Sequence, residues 1–149
     1  MENSQRKGYP PKLNAEAFER RRMNTAIVGL GSNIRPHENI RKARELLAQK
    51  FQILAESRFV TTKAIGQPQE PDFLNGAVML KTGLGGAGLK AQLKELERAL
   101  GRTPQQVGGE ARVIDLDLLV WNDQVVDEDV RQRSFVRESV RELLPALLL

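Results

Sequence analysis

Asp115 and Asp117 are two carboxylates, two residues apart, inside the mostly apolar segment 111–120. The aliphatic and β-branched residues of this segment predict a buried strand. Strand side chains alternate between faces, so both carboxylates should point to the same side, where like charges repel. A hard divalent cation such as Mg²⁺, together with substrate phosphates, would relieve that repulsion. The alternative is an edge strand with two solvated aspartates.

The composition narrows the kinds of site that the chain can build. With 149 residues, 40% hydrophobic and 28% charged, it is long enough for one domain with a core. The absence of cysteine excludes disulfides and thiolate metal sites, and the single His37 excludes a histidine-rich zinc site. Chemistry of a hard cation on carboxylates remains possible.

The charge balance is compatible with anionic ligands, from nucleotides to nucleic acid, because the net charge is +4. Part of the excess lies in residues 1–23, which we expect to form a basic, flexible tail; an arm that binds nucleic acid is the alternative. This tail lacks the apolar centre of a signal peptide, and no apolar run approaches the length of a membrane span. We therefore expect a cytoplasmic monomer that makes no contact with a membrane.

Apolar periodicity and Gly/Pro breaks predict a β-α-β-β-α-β order. Strands are expected at 25–30, 51–62, 73–82 and 111–120, and helices at 36–50, 87–100 and 138–148, with turns at 31–33 and 122–124 and a short strand at 125–126. This order predicts an α+β fold over residues 24–149, a ferredoxin-like sandwich with a mostly antiparallel sheet. Its helices lie on one face, and a short helix ends the chain.

Four short motifs stand at characteristic separations: Leu-Gly-Ser-Asn at 30–33, Phe-Leu-Asn at 73–75, Leu-Glu-Arg-Ala-Leu-Gly-Arg at 96–102 and Arg-Val-Ile-Asp-Leu-Asp-Leu-Leu at 112–119. In this order and at these separations, they resemble the 6-hydroxymethyl-7,8-dihydropterin pyrophosphokinase family. The resemblance covers about residues 24–126, and weakly 133–136. It implies transfer of a pyrophosphoryl group from ATP to the pterin hydroxymethyl group, a step of folate biosynthesis.

For the nucleotide, the resemblance implies that Asp115 and Asp117 bridge two Mg²⁺ ions that hold the ATP phosphates. It also implies that Arg112 binds phosphate and that Arg102 begins a mobile catalytic loop. An always-charged guanidinium suits such a role. Glu97 matches a helix carboxylate near the nucleotide; a solvated helix face is the alternative.

For the pterin, the resemblance implies that Phe73 and Phe135 stack on the two faces of the flat ring. Asn75 matches the residue that hydrogen-bonds the amide edge of the ring, where both a donor and an acceptor are needed. Thr62 and Ile65 match loop positions whose backbone groups meet the pterin. Core packing for the phenylalanines and a turn or bulge for Asn75 are the alternatives.

The chain also departs from the pattern of the family. Pro104 stands where a second arginine is common, and Gly109 followed by residues 110–111 replaces Trp-Gly-Pro. A segment that normally carries a histidine and contacts ATP has no counterpart here; Arg131 and Arg133 are candidates to supply compensating charge. Two alternatives therefore stay open, a weakly active or inactive paralogue that binds pterin and a basic module that binds nucleic acid. The low aromatic content, 5%, argues against the latter.

Overall fold

The computed structural model describes residues 23–63, 69, 71–101 and 113–149. The strands in this part of the chain are β1 (Asn24–Ser32), β2 (Gln52–Glu56), β3 (Val60–Thr62), β4 (Phe73–Thr82), β5 (Asp115–Trp121) and β6 (Gln124–Val125). The helices are α1 (Pro36–Lys50), α2 (Gly86–Ala99), α3 (Asp129–Gln132) and α4 (Ser134–Leu143). Of the expected tail, residues 1–23, only Met23 is described, and residues 1–22 lie outside the described part of the chain.

The strands form one antiparallel sheet in the order β2-β4-β1-β5-β6, with β3 also paired to β4. The predicted α+β, ferredoxin-like order is confirmed, with the second extended segment divided into β2 and β3. The two halves of this segment are separated at Ser57, whose hydroxyl accepts a hydrogen bond from the backbone N–H of Ala77 at 2.8 Å. Both halves thus pair with β4.

One face of the sheet is closed by α1 and α2. Apolar residues at helical spacing, which include Ile40, Ala43 and Leu47 of α1 and Leu89 and Leu93 of α2, pack on alternate residues of the strands. On the surface of α1, a hydrogen bond from Lys42 lowers the pKa of the exposed Glu38 carboxyl. This face forms the main core.

The opposite face carries α3 and α4, so the prediction that the helices lie on one face of the sheet is wrong. The bounds of these helices also differ from the sequence prediction. A helix was expected at 138–148, whereas the chain forms one turn at Asp129–Gln132 and then Ser134–Leu143. Val130, Val140 and Leu143 anchor these helices on a smaller core of the sheet. The last helix ends before Pro145, which cannot donate a backbone hydrogen bond. These helices cover only part of their face.

The β5–β6 hairpin fixes which side chains of β5 face each layer. Asn122 and Asp123 both have positive φ, 48° and 71°, the conformation that a two-residue hairpin turn requires. A register shift between Ile27 and Val28 leaves Leu119 as an extra residue opposite β1. Beyond that bulge, Leu116 and Leu118 enter the main core, and the alternate residues Asp115 and Asp117 face the partly covered side.

Candidate functional site

The floor of the site is formed by two glycines of the central strand. Gly31 lies between Asn75 of β4 and Asp115 of β5, and Gly29 lies in the same way between Ala77 and Asp117. A glycine inside a strand leaves room above the sheet. Gly31 was expected in a turn at 31–33, but β1 continues to Ser32 because both neighbouring strands pair with it.

Above these glycines lies a cavity of about 580 Å³ between the sheet and the α3–α4 corner. It brings together six of the residues that the sequence identified, from three separate segments of the chain. These six are Phe73, Asn75, Asp115, Asp117, Arg133 and Phe135. Both phenylalanines are half-buried at the cavity wall, and neither is among the residues of the two hydrophobic cores.

Asn75 is held by contacts on two sides. Its amide Nδ2 donates to Thr62 Oγ1 at 2.5 Å. On the other side, a Cβ added to Gly31 would lie 2.8 Å from Asn75 Oδ1. The amide therefore occupies space that only glycine leaves open. Asn75 is part of the regular strand β4, so the alternative of a turn or bulge is wrong.

The two carboxylates are placed as the alternation predicted. Asp115 is half-buried, Asp117 is exposed, and both line the cavity. Among the residues that the structure describes, no group of three or more His, Cys, Asp or Glu side chains is arranged to hold a metal ion. A pair of carboxylates fits Mg²⁺, which proteins usually bind through one or two carboxylates with substrate phosphates and water as further ligands.

Glu97 lies at a different place from the cavity. It is on α2, is only 7% exposed, and its Oε2 accepts a hydrogen bond from the backbone N–H of Leu116 at 2.7 Å. Leu116 stands between Asp115 and Asp117, so Glu97 fixes the strand that carries them. The interpretation as a solvated helix face is wrong, and the contact to nucleotide stays a prediction.

Four charged or polar residues of the cavity were not singled out from the sequence. They are Lys63, Asp127, Asp129 and Ser139. Lys63 pairs with Asp72 across 3.6 Å, and Asp129 pairs with Arg133 across 3.2 Å. These residues are difficult to identify from the sequence, because isolated charged residues in polar loops are usually solvated.

Three predicted site residues, Ile65, Arg102 and Arg112, lie outside the described part of the chain. The departures at Pro104, Gly109 and residues 110–111 lie outside it as well. The roles that the resemblance implies for these residues stay predictions. In the described residues, no helix has the length and apolarity that a membrane crossing requires.

The fold and the cavity together indicate a class of protein. An antiparallel α+β sandwich presents an aromatic ring and an amide at the β4 end of a cavity and paired carboxylates at its β5 end. Arg133 and a second aromatic ring, Phe135, line the same cavity from the α3–α4 corner. Such a charged end is typical of proteins that handle phosphate groups with Mg²⁺.

Comparison with known proteins identifies the family. A family model described as 7,8-dihydro-6-hydroxymethylpterin-pyrophosphokinase matches residues 27–145, and the chain belongs to this family. The 2-amino-4-hydroxy-6-hydroxymethyldihydropteridine pyrophosphokinase of Methylorubrum extorquens is 36% identical over 138 residues, covering 85% of this chain and 87% of the relative.

Two further relatives carry the same description. The protein of Haemophilus influenzae is 28% identical over 138 residues, covering 85% of this chain and 86% of the relative. The protein of Synechocystis is 33% identical over 131 residues, covering 80% of this chain and 66% of the relative. The similarity thus extends over nearly all of the α+β domain.

Proposed function

We propose that this chain transfers the pyrophosphoryl group of ATP to the hydroxymethyl group of 6-hydroxymethyl-7,8-dihydropterin, a step of folate biosynthesis. Membership of the pyrophosphokinase family supports the reaction. The observation that carries the proposal is a single cavity with Phe73 and Asn75 at its β4 end and the Asp115/Asp117 pair at its β5 end, lined also by Phe135. A module that binds nucleic acid is not favoured by these findings.

At the ring end, Phe73 and Phe135 bind the two faces of the pterin, and the Asn75 amide hydrogen-bonds its edge. Thr62 orients that amide through its hydroxyl. By resemblance to the family, the backbone of Ile65 also contacts the pterin. Together these residues hold the hydroxymethyl oxygen toward the carboxylate end, and such positioning is a large part of catalysis in bimolecular transfer.

At the phosphate end, Asp115 and Asp117 would hold two Mg²⁺ ions, and these ions would neutralise charge on the ATP phosphates. Arg133 and Arg112, with Arg102, bind the phosphate oxygens. The hydroxymethyl oxygen attacks the β-phosphorus in line and loses its proton to water. The bond between that phosphorus and the α-phosphate oxygen breaks, and AMP leaves. We further propose that the protein works as a cytoplasmic monomer.

Phosphorus-31 NMR of a reaction with Mg-ATP and the pterin tests the proposal. The expected products are AMP and the pterin diphosphate ester, and both should require the pterin and Mg²⁺. Release of ADP or inorganic phosphate without the ester would contradict the proposal. Binding of pterin without any product would favour the inactive paralogue.

A further inference from the structure

The turn α3 has a fixed shape although it is only four residues long. Val130 is fully buried in the smaller core and attaches the turn to the sheet. Asp127 Oδ1 accepts a hydrogen bond from the backbone N–H of Asp129 at 2.9 Å, and Arg133 N–H donates to Asp129 O at 3.0 Å. The side chain of Asp129 therefore starts from a well-defined backbone position.

From that position Asp129 contacts Arg133. Its Oδ1 accepts a hydrogen bond from Arg133 Nε at 3.2 Å, and both residues line the cavity that Asp115 and Asp117 also line. This ion pair engages Nε and does not use the outer edge of the guanidinium, formed by Nη1 and Nη2. That edge is the part of arginine that binds phosphate oxygens in a two-pronged manner.

The pair is a weak candidate for a purely stabilising role. The side chains are 39% and 42% exposed, and ion pairs this open to water contribute little to stability. The Asp129 carboxylate also repels a phosphate bound nearby, so it should weaken nucleotide binding unless it has a second, favourable effect. Holding the guanidinium in one orientation is such a benefit, because arginine is otherwise free to rotate about several bonds.

We infer that Asp129 is a positioning residue, which orients Arg133 so that its outer edge faces the phosphates of the nucleotide. The inference rests on the proposed function, since it takes Mg-ATP as the ligand. It makes a prediction opposite to that of simple charge repulsion. If Asp129 only repelled phosphate, removing it would strengthen nucleotide binding; if it positions Arg133, removing it weakens binding.

The same turn supplies a matched control. Glu128 and Arg131 form a second ion pair, in which Arg131 Nη1 lies 3.2 Å from Glu128 Oε2. The Glu128 side chain is 68% exposed and the Arg131 side chain is 49% exposed. Neither residue lines the cavity. Glu128→Ala therefore removes one carboxylate and one ion pair of equal length from the same turn without changing the site.

The test is calorimetric titration of the full chain with a non-hydrolysable ATP analogue and Mg²⁺. Asp129→Ala should weaken binding at least about fivefold, the scale of coupling between contacting residues. Asp129→Asn, which loses the charge and keeps an acceptor oxygen for Nε, should bind as tightly as wild type or more tightly. Glu128→Ala should stay within about twofold, as expected for an exposed pair away from the ligand.

The outcomes separate the inference from the proposed function. If wild type binds the Mg-nucleotide and Asp129→Ala binds it equally well or more tightly, the inference alone is wrong. If Asp129→Asn weakens binding as much as Asp129→Ala, the charge and not the orientation matters, which also overturns it. If wild type binds no Mg-nucleotide, both the proposed function and the inference fail. Affinity for the pterin should be equal in all four proteins.

Discussion

The two ends of the cavity are built in different ways. At the ring end, the Asn75 amide is fixed by neutral contacts, a hydrogen bond to Thr62 and the space above Gly31. The phosphate end is charged: the described lining of the cavity holds four carboxylates, and Arg133 is paired with one of them. The four carboxylates are Asp115, Asp117, Asp127 and Asp129.

This difference indicates that the two substrates bind through different kinds of interaction. The ring end is preorganised by neutral contacts, so we expect pterin binding to be insensitive to Mg²⁺ and to salt. The phosphate end has more negative than positive charge among its described residues, so an anionic nucleotide needs added cations there. Substitutions at one end should therefore leave the affinity of the other nearly unchanged.

The largest effect is expected at the paired carboxylates. Asp117→Asn removes half of the pair, and a cation at such a site supplies several kcal/mol, so nucleotide affinity should fall by about 100-fold or more. Pterin affinity should stay the same. Titration with each ligand, before and after chelation of Mg²⁺, measures both.

Asp123→Asn is the control for this substitution. It removes the same charge from the β5–β6 turn, at a position with φ 71° that asparagine tolerates. Nucleotide affinity should be equal to that of wild type. A normal affinity of Asp117→Asn for nucleotide would contradict the role of the carboxylate pair.

Glu97 belongs to neither end, and its substitution should affect the fold. Glu97→Ala leaves the buried N–H of Leu116 without this acceptor, which costs about 1.5–3 kcal/mol, the contribution of a hydrogen bond to a charged group. For a chain of this size the melting temperature should fall by about 4–10 °C. Thermal unfolding followed by circular dichroism measures the change.

Glu97→Gln separates a structural role from a role in nucleotide binding, because its amide oxygen can still accept the hydrogen bond from Leu116 N–H. It should melt close to wild type. If it also binds nucleotide normally, the predicted contact of Glu97 with the nucleotide is wrong. A stable Glu97→Gln protein with weakened nucleotide binding would instead confirm that contact.

Gly31→Ala tests the ring end. The added Cβ would lie 2.8 Å from Asn75 Oδ1, so the amide must rotate away from the position that we propose contacts the pterin. Loss of a polar contact to a buried ring edge costs about 1–3 kcal/mol, which lowers pterin affinity by about 5- to 150-fold. The control is Gly85→Ala, where a Cβ meets nothing within 4 Å. If Gly31→Ala also lost affinity for nucleotide, the two ends of the cavity would not bind their ligands independently.

The smallest effect is expected at Thr62. Thr62→Val removes the hydroxyl that accepts from Asn75 Nδ2, and a neutral hydrogen bond contributes about 0.5–1.5 kcal/mol. Pterin affinity should fall about 2- to 10-fold, as measured by fluorescence titration. Thr61→Val alters the neighbouring, exposed side chain of the same strand and should change nothing. Equal affinities of the two variants would show that the hydroxyl does not orient the amide.

Much of this organisation could be predicted from local sequence patterns. Apolar spacing identified α1 and α2, and strand alternation placed Asp115 and Asp117 on one face, because both depend only on neighbours along the chain. Gly31 was misassigned because Gly-Ser-Asn is typical of turns, whereas pairing on both sides keeps it in β1. The pairing of Asp129 with Arg133 depends on a short helix that local propensity does not indicate.

The most direct test of the two-ended cavity is calorimetric titration of wild type with each ligand, with and without Mg²⁺. We predict that 6-hydroxymethylpterin binds in both conditions with similar affinity. We predict that a non-hydrolysable ATP analogue binds only with Mg²⁺. Binding of pterin with no binding of the Mg-nucleotide would contradict the account and leave the chain as a pterin-binding relative of the pyrophosphokinases.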